Sequence, residues 1–271
     1  MLVKRVMTAA LLLLGLLACL FWLPNMAWAA VLLLPMVAGF VEWAKLSGLS
    51  TASAVIYALV NISLVIVVYY LQLTVWLYLI ALLLWLIIVP MWLAVGWQLK
   101  LVWLRLPLGY FVLAPLWLAL VELRAHGPWW VLLLMAVVWI ADSAAYFTGQ
   151  RFGKHKLAPN ISPGKTWEGV AGAVLAVAVY AVIVLTVLNS TYFNPFVWAL
   201  PVLLLGMLML YLGILGDLFE SWLKRLAAVK DSGNMLPGHG GILDRIDALT
   251  STLPIAALIL LHADLLQHLL T

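Results

Sequence analysis

The chain has few charged residues and a single cysteine. Only 9% of its 271 residues are Asp, Glu, Lys or Arg, whereas a soluble domain usually has about 25%. Hydrophobic residues make up 67% of the chain, and its mean hydropathy is +1.18. The lone Cys19 excludes an internal disulfide and says nothing about the cellular compartment. This composition excludes a soluble globular domain and predicts a membrane protein with several spans.

Long apolar runs fill most of the chain. A helix that crosses a bilayer needs about 20 apolar residues, and breaks such as Pro24-Asn25 and Gly127-Pro128 separate the runs. No fixed-period repeat or low-complexity linker is visible, so 1–271 is predicted to be one integral membrane domain. The nine predicted spans are 6–23, 27–44, 53–71, 74–96, 107–122, 129–148, 168–188, 196–216 and 243–263.

The distribution of Lys and Arg predicts the orientation of these spans. With the N-terminus inside, thirteen of the 14 Lys and Arg residues face the cytoplasm and Arg124 faces outward. Cytoplasmic loops carry an excess of these residues, so the pattern predicts an all-α polytopic protein whose polar clusters lie at the cytoplasmic face. The run after Lys4-Arg5, with Ala27-Trp28-Ala29 behind it, resembles a cleaved signal peptide, but a retained first span is favoured.

The highest density of charge lies in residues 217–247, between two apolar runs. This stretch holds nine of the chain's 24 charged residues, and charge beside membrane-length segments is costly unless it has a function. Asp217, Ser221 and Lys224 are four and three residues apart, so a helix would place them on one face. Arg225, the next residue, adds a second cation to that face.

A glycine-rich segment and two further carboxylates follow. Ser232-Gly233-Asn234 is typical of a turn, and Pro237-Gly238-His239-Gly240-Gly241 would let backbone N–H groups approach an anion closely. Asp244 and Asp247 lie three residues apart at a helix start, with Arg245 between them. Carboxylates bind Mg²⁺ together with substrate phosphates, and Lys and Arg bind the phosphates. The combination suits a metal–nucleotide triphosphate and a phosphate-headed lipid.

A second polar cluster, residues 142–168, is predicted on the same side and suggests one shared site. Asp142 lies near the cytoplasmic end of an apolar run, and an intramembrane carboxylate is by default a functional candidate. The alternatives are a hydrogen bond to Ser143 or Tyr146, or a position at the membrane interface.

The end of this cluster predicts the start of a helix. Ser162-Pro163 is typical of an N-cap followed by proline at the first helical position, which puts Lys165 in the first turn and Glu168 one turn later. A cation beside free helix N–H groups predicts an anion site. Gly169 and Gly172 begin a small-residue face that predicts close helix packing.

Both clusters resemble the phosphatidate cytidylyltransferase (CDP-diacylglycerol synthase) family of bacterial type. The family patterns are S-x-apolar-K-R, K-D, P-x-H-G-G and D-R-x-D in one region, and D-x-x-A-Y-x-x-G and S-P-x-K-T-x-E-G in the other. Residues 1–140 match only as apolar spans, and 141–271 would be the catalytic half. The matching residues are Asp142, Ala145, Tyr146, Gly149, Ser162, Pro163, Lys165, Thr166, Glu168, Gly169, Gly216, Asp217, Ser221, Lys224, Arg225, Lys230, Asp231, Pro237, His239, Gly240, Gly241, Asp244, Arg245 and Asp247.

The resemblance implies transfer of the cytidylyl group of CTP to phosphatidate by Mg²⁺-assisted in-line attack at the α-phosphate, the first committed step to anionic phospholipids. It implies a multi-pass protein of the bacterial inner membrane and a homodimer, with CTP, phosphatidic acid and membrane lipids as partners and no nucleic acid. The cofactor would be Mg²⁺, with two divalent ions or a divalent and a monovalent ion as variants. Ala144, Gly164 and Ala248 depart from the family pattern and put fine substrate contacts in doubt.

Roles are assigned to the matching residues on this basis. Asp217 and Asp244 would be the main metal ligands. Asp142 and Asp247 would either supply a further ligand or lie in the outer coordination shell. The substrate-binding assignments are Ser162, Lys165, Thr166, Glu168, Lys230, Gly240 and Gly241. The catalytic assignments are Ser221, Lys224, Arg225, Asp231, His239, Arg245 and Asp247.

Several roles have alternatives. His239 is either an acid or a residue that shapes its loop, and Asp231 either orients Lys230 or binds metal. Glu220 and Lys224 are four residues apart and predict a plain helix ion pair.

Other functions compete with the enzyme hypothesis. A secondary transporter would place charges near the bilayer midplane and show inverted repeats, whereas these charges cluster at one face. A catalytically silent membrane subunit, or a related cytidylyltransferase or kinase acting on another lipid phosphate or a polyprenol, is a further alternative.

Overall fold

The computed structural model describes residues 2–97, 101–187, 195–235 and 240–262, and most of them are helical. α4 continues through a π-helical turn, Leu84–Ile88, into α5, so the two form one apolar unit, Thr74–Val95. The helices and strands are α1 (Leu2–Trp22), α2 (Asn25–Leu46), α3 (Thr51–Tyr70), α4 (Thr74–Leu83), α5 (Val89–Val95), α6 (Val102–His126), α7 (Pro128–Phe152), β1 (Lys156–Ala158), β2 (Ser162–Thr166), α8 (Trp167–Val187), α9 (Pro195–Leu226) and α10 (Leu243–Leu261).

Seven helices in the described parts of the chain are long and apolar enough to cross a membrane. They are α2, α3, the α4–α5 unit, α6, α7, α8 and α9. This confirms the predicted polytopic, helical class. α1 contributes the shorter apolar stretch Ala10–Trp22, and α10 begins with Asp244, Arg245 and Asp247 in its first turns. The total of nine spans and their orientation stay predictions.

α9 is longer than predicted. The predicted span 196–216 is part of a 32-residue helix that ends at Leu226, so Asp217 and Lys224 do lie on a helix. Phe219 fixes this end of α9, because its buried ring contacts the rings of Trp85, Trp92 and Trp222. Such aromatic pairs add to the free energy gained from burial alone.

The predicted helix start at Ser162-Pro163 is wrong. Ser162–Thr166 forms strand β2, which pairs antiparallel with β1, and α8 begins only at Trp167. Pro163 and Gly164 are both poor interior helix residues, and a proline is tolerated on the edge of a short hairpin. Thr166 takes over the capping role, since its hydroxyl oxygen accepts a hydrogen bond from the Gly169 N–H (3.2 Å).

Charged helix ends meet at one end of the bundle. Glu42, near the end of α2, accepts a hydrogen bond from the Leu243 N–H at the start of α10 (2.9 Å). Arg225, near the end of α9, donates to the Ile161 carbonyl between β1 and β2 (3.4 Å). The β1–β2 hairpin, the end of α9 and the start of α10, which belong to the two polar clusters, therefore lie side by side.

Glycines allow the helices around this end to pack closely, as predicted for the start of α8. A Cβ on Gly172 would lie 2.2 Å from the Thr148 hydroxyl of α7. On α9, a Cβ on Gly216 would lie 2.6 Å from the Asp247 carbonyl of α10 and 2.6 Å from the Ser251 hydroxyl. The contact at Gly216 sets the separation of α9 and α10 beside Asp217.

We expect Gly216→Ala to destabilise the protein. The added methyl group would force α9 away from the α10 backbone, and overpacking of this kind costs about 1–3 kcal/mol. Gly213→Ala is the matched control one turn earlier, because its Cβ would meet Ala248 and Thr252 at an ordinary 3.7 Å. There the gain in helix propensity, about 1 kcal/mol, should leave stability unchanged or higher. Thermal unfolding in detergent measures both, and equal midpoints would contradict the close contact.

Candidate functional site

The two polar clusters line one cavity of about 480 Å³ at this end of the bundle. α7, α8 and α9 supply its apolar wall, which includes Val138, Ala173 and Met209. The polar wall comes from the hairpin, α7, α9 and α10. The predicted site residues in the lining are Asp142, Ser162, Lys165, Thr166, Asp217, Asp244, Arg245 and Asp247.

Three carboxylates and one ammonium group interact inside this cavity. The Lys165 Nζ lies 2.5 Å from the Asp217 Oδ2, so the β2 strand places its cation directly against α9. Asp142 and Asp247 each interact electrostatically with both Asp217 and Lys165. Three carboxylates that repel one another around the Lys165 ammonium group form a site that favours additional positive charge.

The donor set of this cavity fits a hard cation such as Mg²⁺. Lys165 already holds a positive charge against Asp217, where a metal ion would also be stabilised. Within the described residues, no group of three or more His, Cys, Asp and Glu side chains is preassembled at metal-binding distances. Mg²⁺ does not need such a group, since it is usually bound by one or two carboxylates plus water and substrate phosphates.

Asp244 has different surroundings from the other carboxylates. Its Oδ2 accepts hydrogen bonds from the Ser232 N–H (2.9 Å) and the Gly241 N–H (2.8 Å), and the Ser232 hydroxyl oxygen lies 3.0 Å from it. Its Oδ1 accepts from the Lys224 Nζ (2.6 Å). These hydrogen bonds compensate the Asp244 carboxylate for its loss of contact with water. Asp244 therefore ties Lys224 of α9, Ser232 and Gly241 to the start of α10.

The glycine segment directs N–H groups at carboxylates of the protein itself. The Gly241 N–H points to Asp244, and the Ile242 and Leu243 N–H groups donate to Glu42 (3.0 and 2.9 Å). Gly240 has φ +80°, where a side chain is strained. A Cβ on Gly241 would lie 2.1 Å from the Ser232 hydroxyl. These glycines thus permit close packing around two buried carboxylates.

Glu42 is a residue that the sequence analysis missed. It lies at the cytoplasmic-predicted end of α2 and is only 3% exposed. Besides the two N–H groups at the start of α10, it accepts a hydrogen bond from the Ser232 hydroxyl (2.9 Å). A carboxylate at a helix N-terminus is stabilising. The signal that could have identified it is an acidic residue inside an otherwise apolar span.

The remaining predicted site residues lie outside the cavity lining. Ser221 donates to the Asp217 Oδ1 (3.3 Å). Lys224 forms the predicted ion pair with Glu220 and bonds to Asp244 as well. Arg225 reaches the hairpin, while Lys230 and Asp231 are exposed. His239 lies outside the residues that the structure describes.

Glu168 is engaged by the backbone rather than by the cavity. Its carboxylate accepts hydrogen bonds from the Lys154 N–H (3.1 Å) and the His155 N–H (3.2 Å), and it lies 2.6 Å from the His155 Nδ1. These contacts fasten the end of α7 to the start of α8. The assignment of Glu168 as a substrate-binding residue stays a prediction, and its contacts favour a structural role.

The fold and cavity together define a class of protein: a polytopic helical membrane protein with a phosphate-compatible, metal-compatible site at one end of its bundle. The chain belongs to the cytidylyltransferase family, whose family model matches residues 3–263. This confirms the family expected from the sequence.

Several bacterial relatives named phosphatidate cytidylyltransferase are similar to this chain. The relative from Pseudomonas aeruginosa is 44% identical over 163 residues, which cover 58% of this chain and 58% of the relative. The relative from Haemophilus influenzae is 46% identical over 129 residues, covering 48% and 44%. That from Staphylococcus saprophyticus is 41% identical over 143 residues, covering 53% of each. The chain thus spans about half the length of the curated relatives it matches.

We expect Glu42→Gln to loosen the contacts of Ser232 and of the start of α10. Glu42 accepts hydrogen bonds from three donors. The NH₂ group of a glutamine would face at least one of these donors and leave it unpaired, and an unpaired buried donor costs about 1–3 kcal/mol. The unfolding midpoint should fall, and trypsin should cleave more rapidly after the exposed Lys230.

Glu122→Gln is the matched control, since this glutamate lies at the other end of the bundle. It accepts a hydrogen bond from the Tyr78 hydroxyl (3.1 Å), which an amide oxygen can also accept. Equal cleavage rates after Lys230 in the two variants would contradict the role of Glu42.

Proposed function

We propose that this protein transfers the cytidylyl group of CTP to phosphatidate, giving CDP-diacylglycerol and pyrophosphate. Membership of the cytidylyltransferase family supports nucleotidyl transfer from CTP. The name shared by the relatives from Pseudomonas, Haemophilus and Staphylococcus supports phosphatidate as the acceptor.

The observation that carries the proposal is the mixed character of the cavity. Carboxylates and Lys165 occupy one part of its wall, and apolar residues of α7, α8 and α9 occupy the other. A nucleotide triphosphate needs cations and metal ligands, whereas a diacyl lipid needs apolar surface. A site between membrane-length helices offers both to reactants that arrive from water and from the bilayer.

The reaction needs charge neutralisation more than proton transfer. A phosphate oxygen of phosphatidate attacks the α-phosphorus of CTP in line, a new P–O bond forms, and the bond to the β-phosphate oxygen breaks to release pyrophosphate. The nucleophile is already anionic, so no strong general base is required. The barrier comes from repulsion between two polyanions, which fixed cations and positioning reduce.

Lys165 and Arg245 would bind the phosphate groups. Lys165 contacts Asp217 in this structure. When substrate binds, its ammonium group would contact a phosphate oxygen, either in place of Asp217 or together with it. Arg245 extends from the first turn of α10 into the cavity lining, and its planar guanidinium suits bidentate phosphate binding. Ser221 would orient Asp217 through its hydrogen bond.

Asp217 and Asp247 are our preferred metal ligands, with Asp142 adjacent. Asp244 is less suitable, because its oxygens already accept hydrogen bonds from the Lys224 ammonium group and from the Ser232 and Gly241 N–H groups. We therefore assign Asp244 as a positioning residue in place of a metal ligand. Mg²⁺, when bound, would neutralise part of the triphosphate charge.

We also propose that the protein resides in the bacterial inner membrane with the cavity facing the cytoplasm. The bacterial relatives support the location. The excess of Lys and Arg on one predicted side supports the orientation. A homodimer, expected from the family resemblance, is part of the same proposal.

The test is turnover of labelled CTP with phosphatidic acid by purified protein in detergent. We expect Mg²⁺-dependent formation of CDP-diacylglycerol and its loss on chelation. Asp217→Asn and Asp247→Asn should each lower kcat by about 10²-fold or more, since each removes a negative charge that would bind the metal ion. Glu122→Gln, far from the cavity, should retain wild-type turnover.

Two results would contradict the proposal. If the protein binds CTP in a Mg²⁺-dependent way but forms no CDP-diacylglycerol, the nucleotide site stands and phosphatidate is not the acceptor. Folded protein with neither turnover nor CTP binding would exclude the enzyme and favour a transporter or a silent subunit.

A further inference from the structure

A second cavity, of about 440 Å³, lies beside the reaction cavity. Its volume is within the range of about 300–1,000 Å³ that is typical of small-molecule sites. Five helices enclose it, and Arg245 is the one charged residue in its described lining. Helices α1, α2, α6, α7 and α10 line it, and the lining includes Leu12 and Leu13 of α1, Trp139 of α7 and Arg245 of α10.

Arg245 lines both cavities. The two also share α7, where Val138 faces the reaction cavity and the next residue, Trp139, faces the second one. The cavities therefore lie back to back, with Arg245 where they meet. An arginine suits this position, because its stem packs on apolar surface while its guanidinium binds a phosphate.

We propose that the second cavity binds an acyl chain of the lipid substrate, while Arg245 holds the lipid phosphate at its rim. The proposal rests on the proposed function, since it takes phosphatidate as the acceptor. Charge complementarity supports this proposal. The apolar lining suits an acyl chain and excludes polar ligands. Arg245, the one cation in the described lining, lies at the boundary with the reaction cavity, where the lipid phosphate would react.

α1 provides a side entrance for the chain. Leu13 lines the second cavity and is still 43% exposed, so the wall on this side is thin. Leu12 lines it as well and is 48% exposed. An acyl chain could thus enter between α1 and its neighbours without leaving the apolar part of the bilayer.

Photo-crosslinking tests the location directly. The probe is phosphatidic acid with a diazirine in one acyl chain, mixed with purified protein, irradiated and mapped by peptide mass spectrometry. We expect adducts on cavity residues of α1, α2, α6 and α7, and a loss of these adducts with excess unlabelled phosphatidic acid. Adducts on Val170, Ala173 or Met209 of the reaction cavity, with none on residues that line only the second cavity, would overturn the proposal. Adducts that excess phosphatidic acid does not reduce would also overturn it, since they report bilayer contact only.

A pair of variants tests whether the cavity contributes to substrate binding. Leu13→Trp would fill the entrance, and Leu14→Trp adds the same bulk to the next residue, which is 64% exposed and absent from the lining. We expect Leu13→Trp to raise the KM for dipalmitoyl phosphatidate about tenfold, equivalent to losing a few buried methylene groups. The KM for CTP should not change, and the short dioctanoyl substrate should be affected less.

The two proposals fail in different ways. If the wild-type protein forms no liponucleotide, the proposed function is wrong and the adduct map alone decides whether the cavity binds a phosphate-headed lipid. If the wild type is active but Leu13→Trp behaves as Leu14→Trp does and the adducts lie elsewhere, the acyl-chain site is wrong and the proposed function stands.

Discussion

The buried carboxylate of Asp244 determines how the site is assembled. A carboxylate away from water must be paired and hydrogen-bonded, and Asp244 satisfies this with Lys224 from α9 and with Ser232 and Gly241 from the segment between α9 and α10. These contacts fix the start of α10 against the end of α9. Asp217, two turns before Lys224, and Asp247, one turn after Asp244, therefore face the same cavity. The approach of Asp217 to Asp247 follows from this pairing.

Glu42 extends the same principle to the N-terminal helices. Its carboxylate lies at the N-terminus of α10, where the free N–H groups and the helix dipole favour negative charge. Ser232 donates its hydroxyl proton to Glu42 and its backbone N–H to Asp244, and so links the two carboxylates into one network. α2 is therefore part of the support of the site, although all the sequence motifs quoted for the family lie in the C-terminal half.

The sequence-based predictions succeeded where periodicity and composition decide the structure. The helical face of Asp217 and Lys224 and the close packing at Gly172 both follow from local spacing. They were wrong at Ser162-Pro163, because a proline near a helix start is equally compatible with a strand edge, and only the pairing with β1 distinguishes the two. They were incomplete at Asp244, because spacing shows which carboxylates share a face but not which of them accept hydrogen bonds from the chain itself.

The sequence by itself determined that this is a polytopic membrane protein, that its charges form two clusters, and that these clusters match one family. Those properties depend on hydropathy and on the spacing of nearby residues, and both can be determined from the amino-acid sequence alone. Only the tertiary structure decided that Lys165 pairs with Asp217, that Glu42 caps α10 and that Arg245 lies between a polar and an apolar cavity. The contacts of Lys165 and Glu42 join residues that are 52 positions or more apart in the chain. The position of Arg245 depends on which side of α10 packs inward. Both are determined only when the helices pack into the bundle.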